Sequence, residues 1–312
     1  MQIAFQLFLL VGGLAVALVA SDRAVAYTRA LAVALGAPAF IVGVALVSIG
    51  TDLPEIANSI AAHVQGEGDV NVGDSVGSTL TQYTLVLGLF PLVAVMVIDR
   101  LQIGLVTVFT MAGLGLTTLF VADGWLGRLD GALLVLAWAV FTLAIVKVLP
   151  GHTVDEPPPV AYRGKLVQGG IVLVALGFVG FGATVAVRSL VRLAELAGVP
   201  EFVIAFFGAS LGTSAPEIVV DFTALVRGAP GIALGDALGS SLVDATLSIG
   251  VGPLVAPAEV TPRLAIVGSL YALAAVAIVG TLLGALRRHD RLTGVVLVGL
   301  YAFAYVVLIA AA

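Results

Sequence analysis

The chain has 312 residues, no cysteine and a formal net charge of −5. Hydrophobic residues make up 60% of it, charged residues only 11%, and the mean hydropathy is +1.17. This is the composition of an integral membrane protein. The lack of cysteine excludes a disulfide framework and a thiolate metal site, and no basic patch suggests nucleic-acid binding.

Apolar runs of about 20 residues, each long enough to cross a hydrocarbon core ~30 Å thick, recur along the whole chain. They predict ten transmembrane spans, at residues 3–20, 38–64, 70–90, 101–121, 128–149, 166–187, 201–226, 231–255, 263–285 and 292–311. We expect residues 22–35 to form an interfacial lead-in to the second span. The first run lacks the basic start of a signal peptide, which favours a retained helix.

The segment from Ser48 to Gly88 is repeated 162 residues later, from Ser210 to Gly250, without a gap. Of the 41 aligned pairs, 17 are identical. Such self-similarity indicates an internal duplication. It predicts a first half at 1–149 with its motif at 48–88, a linker at 150–165, and a second half at 166–312 with its motif at 210–250.

The two halves have a predictable relation to the membrane. Each holds five spans, an odd number, so the second copy must enter from the opposite side. The predicted fold class is an all-α integral membrane protein with ten transmembrane helices in two inverted five-helix repeats. Ten of the 14 Lys and Arg residues, among them Arg23, Arg29 and Arg227, lie in loops on one side. We expect that side and the linker to be cytoplasmic, with both termini outside the cell membrane.

Each copy of the motif places a glutamate, Glu55 or Glu217, in a segment apolar enough to lie in a bilayer. Charged groups there are costly and by default mark an ion or substrate path. If the first copy is one helical segment, Ser48, Asp52 and Glu55 share a face, with Thr51 beside them. The equivalent residues of the second copy are Ser210, Thr213, Ser214 and Glu217.

Further oxygen atoms are predicted around these glutamates. Pro54 and Pro216 have no backbone N–H, so the carbonyls four residues before them, on Gly50 and Gly212, lose their helical partners. The third span of each half adds polar side chains one turn apart, namely Ser78 and Gln82, and Ser240 and Asp244. Carbonyl, hydroxyl and carboxylate oxygens suit Ca²⁺ and, with fewer charges, Na⁺, and they do not suit Zn²⁺. The acids at 52, 55, 217 and 244 cannot all stay ionised without bound cations.

Several other polar residues receive weaker predictions. A single hydroxyl in such a helix would indicate close packing only. We expect Asp74 and Asp236 to support the site without touching the ion. Asp221 aligns with Ser59 in the other copy, and its role stays ambiguous. The histidines at 63, 152 and 289 are interpreted as loop or helix-end residues. Glu67 and Asp69 are placed in a short outer loop, facing solvent.

The paired motifs resemble those of the Ca²⁺/cation antiporter superfamily, most closely its prokaryotic sodium/calcium exchanger branch. That family pairs G-T-S-x-P-E with G-N-x-x-G-S-N. Here the segments read GTDLPE at 50–55 with GDSVGS at 73–78, and GTSAPE at 212–217 with GDALGS at 235–240. The resemblance covers both repeats and the chain length.

The resemblance implies specific roles for these residues. Glu55 and Glu217 would be the central Ca²⁺ carboxylates, and Asp244 matches the family's acid on the eighth helix. Hydroxyl ligands for flanking Na⁺ sites would be Thr51, Thr213, Ser78 and Ser240, while Ser48 and Ser210 would offer backbone carbonyls. Access would alternate by sliding of the first and sixth helices, and the chain would act as a monomer, with no cofactor.

The sequence also departs from the family pattern. Asp52 replaces a serine, Gln82 an asparagine, and Asp74 and Asp236 each replace the asparagine of the G-N pair. The added acid at 52 is what proton coupling would need, so Ca²⁺/H⁺ exchange stands beside Ca²⁺/Na⁺ exchange, and Mg²⁺ or Mn²⁺ stands beside Ca²⁺. A cation channel with an acidic ring and an intramembrane protease using Asp74 and Asp236 are the less favoured classes.

Overall fold

The structure is a computed structural model, and it describes residues 2–149, 160, 164–197, 212 and 214–311. The long helices are α1 (Gln2–Leu35), α4 (Leu53–Val64), α5 (Gly68–Thr81), α7 (Arg100–Phe120), α8 (Arg128–Val148), α9 (Lys165–Leu196), α10 (Ala215–Val226), α11 (Pro230–Val243), α13 (Pro262–Leu286) and α14 (Arg291–Ala311). Short helical pieces are α2 (Ala39–Val42), α3 (Ser48–Thr51), α6 (Leu87–Leu89) and α12 (Ile249–Val255), with 3₁₀ turns at Phe90–Leu92 and Val121–Asp123.

Among the described residues, three segments widen into π-helix: Gly43–Val47, Gln82–Val86 and Asp244–Ser248. Two-residue strands β1 (Met96–Val97), β2 (Trp125–Leu126), β3 (Ala258–Glu259) and β4 (Arg288–His289) lie between the later helices. β1 pairs antiparallel with β4, Met96 opposite His289, and β2 pairs with β3, Trp125 opposite Glu259. Each small sheet therefore joins one strand from each half of the chain.

Within the described residues, six helices are long and apolar enough to cross a membrane, and a bent pair, Ala39–Thr51 with Leu53–Val64, makes a seventh. The predicted seventh span, 201–226, is described only at 212 and from 214 onward. The described part of the chain is thus an all-helical membrane protein apart from four two-residue strands, and the count of ten spans stays a prediction. The predicted linker at 150–165 is described only at 160, 164 and 165.

The helix boundaries of the two halves repeat with the spacing found in the sequence. α4 and α10, and likewise α5 and α11, begin and end 162 residues apart. The π-helical segments at Gln82 and Asp244, and the strands β1 and β3, obey the same spacing. The duplication therefore extends to local backbone geometry, while the inverted orientation of the halves stays a prediction.

The first helix differs from its prediction. Residues 22–35 were expected as an interfacial lead-in, but α1 continues without interruption to Leu35. No Gly or Pro separates the two segments, and the chain first turns at Gly36, whose φ is +65°, a conformation that glycine adopts readily. Similarly, the sixth predicted span, 166–187, is part of a longer helix that ends at Leu196.

The compact units of the structure do not coincide with the halves. The first unit combines Met1–Leu53 with Gly151–Asp236, and the second combines Pro54–Pro150 with Ala237–Ala312. In the first unit α1 packs closely along α9, because a Cβ on Gly13 would lie 2.6 Å from the carbonyl oxygen of Gly182. Small residues permit such backbone contact in membrane helices.

In the second unit, acidic side chains cap several helices. Asp99 Oδ1 accepts hydrogen bonds from the N–H groups of Leu101 and Gln102 at the start of α7. Asp69 accepts from the N–H and hydroxyl of Thr261 at 2.6 and 2.7 Å. The expectation that Asp69 only meets solvent is therefore wrong, because its carboxylate satisfies donors at the N-terminus of α13.

Candidate cation site

The chain breaks its helix within the first motif. α3 ends at Thr51, Asp52 has φ −78° and ψ 5°, and α4 starts at Leu53 with a bend of 45°. The expectation of one helical face from Ser48 to Glu55 is therefore wrong, since Pro54 cannot donate to the preceding turn. Ser214 in the second copy has nearly the same backbone angles, φ −82° and ψ 10°.

The first unit brings two acids together at these breaks. Asp52 and Glu217 are both fully buried, and a carboxylate oxygen of one lies within 4.8 Å of a carboxylate oxygen of the other. Two buried carboxylates this close require a cation or a proton to offset their repulsion. Oxygen pairs of this kind are what Ca²⁺ and Na⁺ prefer as ligands.

Thr51 is held beside this pair by three contacts. Its hydroxyl lies 3.2 Å from Asp236 Oδ1, and 3.2 and 3.1 Å from the carbonyls of Val47 and Ser48. Asp236 is fully buried in α11. Ser48 directs its own hydroxyl to the carbonyl of Val44 at 2.7 Å, and its backbone carbonyl also accepts from the N–H of Asp52 at 3.0 Å.

Glu55 lies in the first turn of α4, three residues after Asp52 along the chain. It belongs to the second unit and is 1% exposed. The other predicted ligands of this unit, Ser78, Gln82, Ser240 and Asp244, are also buried. Gln82 Oε1 accepts a hydrogen bond of 2.9 Å from the hydroxyl of Ser241. The second unit therefore contains one glutamate, one aspartate and several neutral side-chain oxygens among the predicted ligands, all of them buried.

In each half, the third predicted span widens into a π-helical segment at one of its predicted ligands. The π-helical segments begin at Gln82 and at Asp244. Two residues into each segment a threonine, Thr84 or Thr246, directs its hydroxyl to the carbonyl of the residue four positions earlier. Each hydroxyl therefore bonds back to a carbonyl of the preceding helical turn, as Ser and Thr side chains in membrane helices do. Sequence reasoning missed these threonines, although they are identical in the two copies.

The remaining predicted residues are placed as follows. Asp74 is half-buried and accepts a 2.7 Å hydrogen bond from Asn58 Nδ2. Pro216 is buried and Pro54 half-buried. A Cβ on Gly50 would lie 2.4 Å from Leu176 Cδ1, whereas Gly212 has more room. Ser210 and Thr213 lie outside the described residues. Asp221, one turn after Glu217, is fully buried.

His63 lies at the end of α4, as predicted, whereas His289 lies buried in strand β4, and His152 lies outside the described residues. His63 Nδ1 lies 2.8 Å from the carbonyl of Ala256. His289 Nε2 lies 2.6 Å from the carbonyl of Leu87, and its Nδ1 lies 2.7 Å from the hydroxyl of Thr293. Burial lowers the pKa of His289, which lies in strand β4 between α13 and α14, below its ordinary value of 6.5.

The fold and the buried acids define a membrane cation transporter, and comparisons with known proteins identify its family. The sequence profile of the sodium/calcium exchanger protein family matches residues 5–147 and 168–310. The chain therefore belongs to the sodium/calcium exchanger family, within the Ca²⁺/cation antiporter superfamily. It is a transmembrane cation antiporter and not an enzyme, so the channel and protease alternatives no longer stand.

Individual relatives agree with this assignment. The CaxA protein of Alkalimonas amylolytica is 30% identical over 93% of this chain and 94% of its own length. The sodium/calcium exchanger MaX1 of Methanosarcina acetivorans is 26% identical, covering 83% of this chain and 85% of its own. A solved structure of the sodium–calcium exchanger NCX_Mj has the same fold, with a TM-score of 0.82, 22% identity and coverage of 97% and 99%.

Proposed function

We propose that this antiporter exchanges Ca²⁺ for Na⁺ across the cell membrane by alternating access, with both termini outside. The observation that carries the proposal is the pair of fully buried carboxylates, Asp52 and Glu217, within 4.8 Å of each other at the helix break of the first motif. A binding site of two carboxylates neutralises a divalent cation in a region where uncompensated charge is costly. The family of the chain and the name of its relative MaX1, a sodium/calcium exchanger, support this choice of ions.

Glu55 is proposed as the third carboxylate of this site. It follows Asp52 by three residues, is 1% exposed, and occupies the position of Glu217 in the first copy of the motif. Thr51, held by Asp236, would present its hydroxyl to a monovalent ion. The proposed remaining ligands are Ser78, Ser240, Gln82, Asp244, Ser214, Thr213 and the carbonyls of Ser48 and Ser210.

The proposed cycle depends on charge compensation. Without cations the acids would leave several negative charges in the membrane, and the conformational change that exposes the site to the other side would carry that cost. A bound Ca²⁺ or a set of Na⁺ ions removes most of the charge and lets the change proceed. Because the two kinds of ion compete for the same oxygens, they cross alternately, and the chain needs no cofactor and no second subunit.

Ca²⁺/H⁺ exchange is the second candidate, and one observation favours it. The acid at 52 is buried beside Glu217, where the family motif has a neutral serine. A proton on either carboxyl would neutralise part of the charge that Na⁺ neutralises in the first candidate.

Ca²⁺ uptake into proteoliposomes of the purified protein separates the candidates. Uptake driven by an outward Na⁺ gradient at equal pH supports sodium exchange, and uptake driven only by an outward H⁺ gradient supports proton exchange. In the latter case Asp52→Ser should abolish the proton-driven uptake. No Ca²⁺ movement under either gradient would contradict both candidates, while Mg²⁺ and Mn²⁺ in parallel assays test the choice of divalent ion.

A further inference from the structure

Helix α7 lies directly against the π-helical segment Asp244–Ser248 within the second unit. The hydroxyl of Thr117 donates to the carbonyl oxygen of Ala245 at 3.3 Å, and both residues are fully buried. One turn earlier on α7, a Cβ on Gly113 would lie 3.0 Å from the same carbonyl oxygen and 2.6 Å from Thr246 Cγ2. Gly113 therefore lets α7 approach closely enough for the hydroxyl of Thr117 to reach the segment.

This contact adjoins one of the proposed cation ligands. Asp244 directly precedes Ala245, is fully buried and begins the π-helical segment. Such segments are rare and occur frequently at functional sites. A hydrogen bond that fixes the carbonyl of Ala245 restricts rotation of the backbone beside Asp244, and with it the direction of the Asp244 carboxylate. Ion sites depend on supporting residues that hold their ligands in this way.

The first copy of the repeat is attached to the same helix at the equivalent position. Tyr83 corresponds to Ala245 at the repeat spacing of 162 residues, and it directly follows the proposed ligand of its own π-helical segment. The hydroxyl of Tyr83 lies 3.4 Å from that of Thr107 on α7. Helix α13, the repeat equivalent of α7, carries Val279 at the position of Thr117 and so has no hydroxyl there. One helix of the first half thus contacts the ligand-bearing segments of both repeats.

We propose that Thr117 is a positioning residue for cation binding, which holds Ala245 and thereby directs the carboxylate of Asp244. The inference rests on the proposed function, because it takes Asp244 as a ligand. The hydroxyl of Thr117 is engaged with the backbone, so this residue acts through Asp244 and not as a ligand itself. Loss of the hydroxyl should therefore weaken cation binding and leave the conformational change that exchanges the ions largely intact.

The first test measures Ca²⁺ uptake into proteoliposomes over a range of Ca²⁺ concentrations. Thr117→Val keeps the size of the side chain and removes its hydroxyl. It should raise the Ca²⁺ concentration for half-maximal uptake about fivefold, the scale of one buried hydrogen bond, and keep the maximal rate within about twofold. Thr117→Ser, which retains a hydroxyl, should restore the original value. The control is Thr118→Val, because the hydroxyl of Thr118 donates to the carbonyl of Leu114 in its own helix at 2.7 Å. Equal shifts in the two valine variants, or a serine variant as defective as Thr117→Val, would overturn the proposal.

A second test uses amide hydrogen exchange, which needs no transported ion. Exchange is followed by mass spectrometry on the full-length protein in detergent, without Ca²⁺ or Na⁺. In Thr117→Val the peptide that covers residues 244–248 should exchange about threefold faster or more, since its contact with α7 is weakened, whereas Thr118→Val should leave it unchanged. Faster exchange would support the positioning of this segment even if the original protein carried no Ca²⁺, a result that contradicts only the proposed function. Unchanged exchange in Thr117→Val would overturn the inference whichever ion is carried.

Discussion

The two Gly-Asp pairs of the repeats have the same sequence but different surroundings. Asp236 is fully buried, and its carboxylate lies 3.2 Å from the hydroxyl of Thr51. Asp74 is half-buried and binds the amide of Asn58. Gly235 packs on the backbone of Phe40, whereas a Cβ at Gly73 would meet no described atom within 4 Å. Identical motifs in a duplicated chain therefore need not perform the same task.

The largest expected effect concerns the residues in which the copies agree. Glu217→Gln and Glu55→Gln should each reduce Ca²⁺ exchange about a hundredfold or more, because removing one member of a buried ionic set costs about 3–5 kcal/mol. Proteoliposome uptake measures the loss, and Glu67→Gln, at an exposed glutamate of the same chain, is the control. Near-normal uptake by both glutamine variants would contradict the proposed site.

The next largest effect is expected on stability, in a comparison of Gly235 with Gly73. A Cβ at Gly235 would lie 2.3 Å from the carbonyl oxygen of Phe40. Gly235→Ala should therefore destabilise the protein by about 1–3 kcal/mol, the usual cost of overpacking, whereas Gly73→Ala should be tolerated. Thermal unfolding in detergent compares the two variants directly. Equal melting temperatures would mean that the close contact of Gly235 is dispensable.

A smaller effect, on the apparent Ca²⁺ affinity, is expected to distinguish Asp236 from Asp74. Asp236→Asn weakens the support of Thr51 and should lower the apparent Ca²⁺ affinity about tenfold, at the lower end of effects seen for residues that orient ligands. Asp74→Asn should change it little. Both variants should still exchange ions, since the family motif carries asparagine at these positions. A larger effect of Asp74→Asn on Ca²⁺ titrations of uptake would reverse the assignment.

The smallest expected effect concerns stability at the start of the last helix in each half, α8 and α14. α8 is capped by Asp130, which accepts from the N–H of Gly127. α14 is capped by Asp290, which accepts from the N–H groups of Leu292 and Thr293, and the preceding residue is His289. The pKa of His289 is lowered by burial, so protonation favours the unfolded chain, and its contribution to stability is complete above pH ~6.5 and declines as the pH falls below that value. His289→Gln should reduce the decline in melting temperature between about pH 7 and 5. An unchanged decline would exclude His289 as its source.

Sequence reasoning found the duplication, the buried glutamates and the family because these depend on local motifs. It missed the break at Asp52, since one-turn spacing was applied across Pro54, and it missed the support of Gln82 by Ser241. That hydrogen bond joins residues 159 positions apart, and no periodicity along the chain indicates it. The continuation of α1 to Leu35 was missed because Asp22 and Arg23 resemble the end of a span, although their side chains contribute to a polar cavity there.

The composition of the compact units has a consequence for biosynthesis. Each unit draws one segment from the beginning of the chain and one from after residue 150, and each small sheet pairs an early strand with a late one. Neither unit can reach its final packing while the ribosome has made only the first half. The early helices must therefore wait in the bilayer, partly assembled, and a chain truncated at the linker should be a substrate for membrane proteases.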